Sequence, residues 1–127
     1  MAFQLPLLQP TSDWSPPETL PDLSSAKRIA VDLETHDPNL TTLGAGWARG
    51  EGKIIGVAVA VDDGDGEGFS AYYPIAHENG GNLDRGVVMR WLRDQLARPE
   101  QPKVFANAMY DVGWLLREGI VVQGPLY

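Results

Sequence analysis

Two short patterns of acidic and polar residues hold the side chains of this sequence that are best suited to chemistry. Asp32 and Glu34 alternate with apolar residues in a β-branched segment, while Asn107 and Asp111 lie four residues apart further along the chain. Alternate residues of a strand share a face, so Asp32 and Glu34 should point the same way. Residues four apart share a face of a helix, so Asn107 and Asp111 should present an amide and a carboxylate together.

These four groups would form an oxygen-rich pocket if the strand and the helix met. Carboxylate and amide oxygens are ligands that hard divalent cations prefer. The two patterns therefore predict a site for Mg²⁺ or Mn²⁺ where the two elements come together.

The composition limits the class of protein. The 127 residues suffice for one domain with a hydrophobic core, and 43% of them are apolar. The sequence has no cysteine, which excludes disulfides, thiolate metal sites and cysteine nucleophiles. A net charge of −7 gives no long-range attraction to DNA phosphates, so we expect contacts with nucleic acid to be local and to need metal ions or a partner.

The chain divides into an arm and a domain. Prolines 6, 10, 16, 17 and 21 are half of the ten prolines, which predicts a proline-rich N-terminal arm over residues 1–26 and a folded domain over residues 27–127. No basic residue precedes Lys27, and no apolar run is long enough to span a bilayer. We therefore expect a soluble protein without a membrane partner, located in the cytoplasm.

The apolar spacing predicts an α/β fold. Alternating and continuous apolar runs indicate strands, and spacing of three and four residues indicates helices. A cap at Asn82 and a stop at Gly119 would mark the start of one helix and the end of the other. The predicted order is β-β-β-α-β-α-β: strands at 28–35, 53–61, 69–74, 103–106 and from 120, and helices at 82–96 and 107–118.

With its two acidic patterns, this order resembles the ribonuclease H-like 3′–5′ exonucleases over most of residues 27–127. Residues 31–35 look like the first exonuclease motif, and residues 107–116 look like the second. The proofreading domains of family A DNA polymerases are the most similar group. Three further segments are similar to phage versions of that polymerase, namely residues 37–40, 46–49 and 73–78.

The resemblance implies a function and a role for each residue. Members hydrolyse phosphodiesters with two metal ions about 4 Å apart, removing nucleotides from the 3′ end of single-stranded or frayed DNA. By resemblance, Asp32 would bridge the ions, Glu34 would bind one ion and orient the water or terminal sugar, and Asp111 would hold the other. The residues assigned to nucleic-acid contacts are Thr35, Asn107 and Tyr110.

One part of the family pattern is absent from this sequence. A third motif, Tyr-x-x-x-Asp or His-x-x-x-x-Asp, would complete the metal site, and neither occurs between Asp111 and Tyr127. We therefore expect a partial exonuclease domain with its C-terminal part missing, completed by the remainder of a polymerase chain or by a homo-oligomer. The alternative is a catalytically incomplete interaction module that pairs with a polymerase or another protein. The preference for DNA over RNA stays open.

Several residues have two interpretations at this stage. Phe105 is expected to pack in the core, whereas Trp47, Tyr73 and Tyr110 either pack or stack on bases. His36 and His77 are too few for a histidine-rich metal site and are expected at the surface. The acidic segment 62–68 is expected to be a hairpin turn rather than a calcium loop.

Overall fold

The computed structural model describes residues 14–62 and 68–127. Most of the predicted hairpin turn and residues 1–13 of the predicted arm lie outside this part. The described elements are β1 (Arg28–His36), α1 (Leu40–Leu43), a 3₁₀ turn (Gly46–Ala48), β2 (Lys53–Asp62), β3 (Gly68–Pro74), α2 (Arg85–Leu96), β4 (Lys103–Phe105) and α3 (Ala108–Arg117).

The four strands form one mixed sheet in the order β3-β2-β1-β4. β1 pairs antiparallel with β2 and parallel with β4, and β2 pairs antiparallel with β3. Residues 37–52, which include α1 and the 3₁₀ turn, connect the antiparallel strands β1 and β2, whereas the chain passes from β3 to β4, the parallel partner of β1, through helix α2. This arrangement confirms the predicted α/β class and the predicted order of the first four strands and the two longer helices along the chain.

The two faces of the sheet differ sharply in burial. On β1, Ile29, Val31 and Leu33 are buried, whereas Asp32 and Glu34 on the opposite face are exposed. Buried residues of both α2 and α3, among them Leu92 and Trp114, join the β1 residues in one hydrophobic core. The predicted separation of acidic and apolar side chains along β1 is therefore confirmed.

Helix α2 begins at Arg85, and its cap lies two residues after the predicted one. Its N-cap is Asp84, whose side chain accepts a hydrogen bond from the Val87 N–H at 2.9 Å. The predicted cap, Asn82, instead bonds the backbone N–H and C=O of His77, both at 2.8 Å. An asparagine that bridges a loop in this way is not available to cap the following helix.

The fifth strand was predicted in the wrong place. Ile120 is fully buried, and its N–H bonds the Leu115 carbonyl around Gly119, which has a positive φ of 78° and ends α3. Pairing with β4 comes later, where Leu126 forms a parallel bridge to Lys103. The apolar run from 120 is thus used to close the helix against the core, and this use is indistinguishable by composition from a strand.

The segment before β1 is fixed to the domain. The Trp91 indole donates to the Pro21 carbonyl at 2.7 Å, and the Gln95 side chain accepts from the Leu23 N–H at 2.8 Å. Leu23 is buried in the core. Within the described residues, no helix has the length and apolar character needed to cross a membrane.

Candidate functional site

The site begins where the parallel pairing between β1 and β4 ends. Val31 of β1 is in register with Phe105 of β4, so Asp32 lies beside the point where the chain leaves β4 and enters α3. Asp111 falls in the first turn of α3, and its N–H bonds the Asn107 carbonyl at 3.0 Å. The parallel pairing therefore brings the first acidic pattern next to the second.

Asp32 and Asp111 form an electrostatically coupled pair. Asp111 is only 3% exposed, and burial together with the charge of Asp32 raises its pKa to about 6. Within the described part of the chain, neither carboxylate has a cationic side chain as a salt-bridge partner. Two neighbouring carboxylates without a cation create a negative potential that a divalent ion would neutralise, so the chemistry of these two side chains suits a hard metal ion.

Glu34 points away from this pair. Its Oε2 accepts a hydrogen bond of 2.5 Å from the Tyr72 hydroxyl of β3 and lies 3.7 Å from His77 Nε2. The expected convergence of four groups is therefore not observed. Among the residues that the structure describes, no group of three His, Asp or Glu side chains is close enough to hold a metal ion.

Asn107 lies directly before α3, and its side chain does not cap the helix. The residue occupies the N-cap position and is exposed, but its side chain forms no capping hydrogen bond. The exposed amide is left available at the same end of α3 as Asp111.

Thr35 and Tyr110 belong to one hydrogen-bond chain. The two hydroxyls are 2.9 Å apart, and the Tyr110 hydroxyl donates to Asp37 Oδ2 at 2.9 Å. The same Asp37 oxygen accepts from the Gly46 N–H at 3.0 Å. Because Tyr110 gives its one proton to Asp37, Thr35 is the donor of the remaining bond. These hydrogen bonds hold the Tyr110 side chain against the loop that follows β1, and they join residues 37–46 to α3.

Tyr73, Phe105 and Trp47 pack against other side chains or against α3. Tyr73 is fully buried and its ring centroid lies 5.0 Å from that of Trp91, so base stacking by Tyr73 is excluded by its position. Phe105 is 6% exposed, which confirms its predicted place in the core. Trp47 is half-buried against Gly113 of α3, where any Cβ would clash with the indole.

A groove of about 620 Å³ runs along the exposed face of the sheet beside Asp32. Register pairing places small side chains there, because Ala30 is opposite Ala60 and Asp32 is opposite Ala58. Trp14 also lines the groove, and its ring centroid lies 6.2 Å from that of Tyr72. The site therefore opens onto a broad, shallow surface rather than a closed cavity.

Two contributors to the site were missed in the sequence. Asp37 lies in the loop after β1 and Tyr72 lies in β3, and neither belongs to the two acidic patterns. Asp37 lies within a segment that resembles phage polymerases, which was the only sign of its importance. Tyr72 reaches Glu34 across an intervening strand, and local spacing carries no information about such a contact.

Comparisons with known proteins find two DNA polymerases that are similar to this chain. No protein-family model matches it. It is 42% identical over 120 residues to a DNA-directed DNA polymerase of Pseudomonas phage M6, covering 92% of this chain and 18% of that protein. It is 34% identical over 113 residues to DNA polymerase I of Pseudomonas aeruginosa, covering 85% of this chain and 11% of that protein.

A solved structure described as the apo form of a nuclease is also similar, over 79% of this chain and 39% of its own, with 24% identity and a TM-score of 0.47. That score is too low to support an inference. The chain spans less than a fifth of the length of the two polymerases. Over most of its length, this chain is homologous to a segment of DNA polymerases, as its sequence motifs predicted.

Proposed function

We propose that the chain is a metal-dependent 3′–5′ exonuclease-type domain, or part of one, in a family A DNA polymerase. It would act on the 3′ ends of single-stranded or frayed DNA. The observation that carries the proposal is the proximity of two carboxylates, buried Asp111 and Asp32, which lines an open groove. Homology to two DNA polymerases supports the assignment to replication chemistry.

Each residue of the site has a task in this proposal. Asp32 and Asp111 would hold Mg²⁺ or Mn²⁺, which supplies an activated water and neutralises the leaving oxygen. Tyr110, held by Thr35 and Asp37, would position the terminal nucleotide beside Asp111. The exposed amide of Asn107 would donate to the same nucleotide, so its orientation would be fixed before the bond is cut.

The negative charge of the chain gives this domain little affinity for DNA at long range. With a formal charge of −7, it repels the phosphate backbone unless cations shield its carboxylates. Substrate would therefore be delivered by the remainder of a polymerase, with the site gripping only the strand end. Binding of single-stranded DNA by the isolated chain should depend on the divalent cation.

A nuclease assay tests the proposal directly. The purified chain is incubated with end-labelled single-stranded DNA and Mg²⁺ or Mn²⁺, alone and with the downstream polypeptide of its polymerase. Stepwise shortening from the 3′ end is expected, and Asp32→Ala should abolish it. Asp94→Ala is the matched control, because Asp94 is an exposed carboxylate on α2 and lies outside the site. An RNA substrate run in parallel reports the sugar preference.

The open face of the sheet favours one second candidate, a non-catalytic module that binds another part of a polymerase. The groove is lined mainly by small apolar side chains rather than by basic ones, a composition more typical of protein contacts than of DNA contacts. A stable complex with the downstream polypeptide, without shortening of DNA or RNA in any mixture, would support the module over the nuclease.

A further inference from the structure

The position of Glu34 is set by a phenol from a strand two places away. Tyr72 Oη lies 2.5 Å from Glu34 Oε2 and 2.5 Å from His77 Nε2. A phenol has one proton, so Tyr72 donates to the carboxylate and accepts from the Nε2–H of His77.

Gly56 makes this contact possible. It is paired with Glu34 on β1, and it lies between Glu34 and β3 in the sheet. A Cβ at position 56 would come within 1.7 Å of the Tyr72 hydroxyl oxygen. The Tyr72 side chain therefore crosses β2 through the space that the missing side chain leaves.

The hydrogen bond to Tyr72 holds the Glu34 side chain away from Asp111. In the strand order β3-β2-β1-β4, Tyr72 is on one side of β1, while β4 and the start of α3 with Asp111 are on the other. A carboxylate bonded to Tyr72 is therefore turned away from Asp111. This explains why Glu34 does not lie with Asp32 and Asp111, although it is two residues from Asp32 on the same face of β1.

We propose that Tyr72 is a positioning residue that holds Glu34 toward β3, so that Glu34 completes the metal site only after it leaves the phenol. This inference rests on the proposed nuclease function. His77 anchors the far side of the phenol, and the Asn82 side chain fixes the His77 backbone at both its N–H and its C=O. Tyr72 thus competes with the metal for the same carboxylate.

Manganese affinity measures this competition. Free Mn²⁺ is followed by electron paramagnetic resonance during titration of the chain, Tyr72→Phe and Tyr73→Phe. A hydrogen bond to a charged group opposes Glu34 recruitment, so Tyr72→Phe is expected to bind Mn²⁺ roughly tenfold more tightly. Tyr73→Phe is the matched control, because its buried hydroxyl has no hydrogen-bond partner within the described residues. Unchanged or weaker binding by Tyr72→Phe would overturn the proposal.

Gly56→Ala provides an independent route to the same result. The atoms nearest to the new methyl group all belong to the outer end of the Tyr72 side chain, so the phenol is displaced while the backbone stays in place. Gly56→Ala should therefore tighten Mn²⁺ binding as Tyr72→Phe does. Weaker or unchanged binding, with the fold intact by circular dichroism, would contradict the role of Tyr72.

A readout without metal separates this inference from the proposed function. The ¹³C resonance of the Glu34 side-chain carboxyl is recorded in metal-free protein, and it should move in Tyr72→Phe but not in Tyr73→Phe. If no variant binds Mn²⁺, the metal-dependent function fails, and the carboxyl resonance still decides the position of Glu34. If that resonance is the same with and without the Tyr72 hydroxyl, the positioning role itself is wrong.

Discussion

The two faces of the sheet divide stability from chemistry. The covered face is built from large apolar side chains, such as Ile29 and Val59, which pack with the helices in a single core. The opposite face carries Asp32 and Glu34 among alanines, and Ala60 is exposed there. In β1 the two kinds of residue alternate one by one, so a single strand serves both faces.

This difference shows how a strand with two carboxylates remains stably folded. Burial of large apolar side chains on one face provides most of the favourable free energy of folding. The fold can then keep two like-charged groups near each other, as Asp32 and the buried Asp111 are, at a local cost in stability. Substitutions on the two faces should therefore have different consequences.

Removal of a large core side chain should produce the largest effect. Trp114 is fully buried, so Trp114→Ala should lower the free energy of unfolding by about 4 kcal/mol, measured by urea denaturation. Trp14 on the groove side is 56% exposed, and Trp14→Ala should cost less than about 1 kcal/mol. Similar losses for the two tryptophans would contradict the division between the faces.

Neutralising the buried carboxylate should have an intermediate and opposite effect. The folded state raises the pKa of Asp111 to about 6, so the ionised group destabilises the fold. Asp111→Asn should therefore increase the free energy of unfolding by about 2 kcal/mol at pH 7.5 in EDTA. The same variant should lose Mn²⁺ binding. A loss of stability in Asp111→Asn would show that the carboxylate is not held against its charge.

The pH dependence of that difference is a sharper test. A raised folded pKa means that the folded state binds the proton more tightly, so Asp111 favours folding at low pH and this contribution is lost as pH rises to about 6. The stability gained by Asp111→Asn should be near zero at about pH 4 and reach its full value near pH 7. Urea denaturation of both proteins at each pH measures the difference, and a constant difference would contradict the assigned cause.

The smallest effect is expected at the exposed alanines. Ala60→Ser adds one hydroxyl group to the groove face, and stability should change by no more than about 0.5 kcal/mol. Val59→Ser, one residue away and 3% exposed, should cost about 2 kcal/mol or more because it places a polar group in the core. Equal costs at the two positions would mean that the groove face is also packed.

Much of the fold was predictable because it depends on local alternation. The bounds of β1, β2 and α3 follow from apolar spacing and from Gly119, and each was predicted to within one residue. The fifth strand was predicted in the wrong place because Ile120, although apolar, packs in the core at the end of α3 and does not pair with any of the described strands.

The site was predictable only in part, for a physical reason. Asp32 and Asp111 come together through the parallel pairing of β1 with β4, which the element order implies. The orientation of Glu34 depends on Tyr72 and on the space above Gly56, which are separated from it along the chain and meet only in the folded sheet. The spacing of residues along a strand predicts the face on which a side chain lies, but it does not predict which residue that side chain contacts.

The buried amine of Lys103 can report how often the turn between α2 and β4 opens to solvent. Lys103 is fully buried in β4, and its Nζ donates to the carbonyls of Arg98 and Gln101 at 2.6 and 2.8 Å. The other two lysines of the chain, Lys27 and Lys53, are exposed. An amine-reactive reagent should therefore modify those two at once, whereas acylation of Lys103 should proceed only as fast as the turn between α2 and β4 opens to solvent.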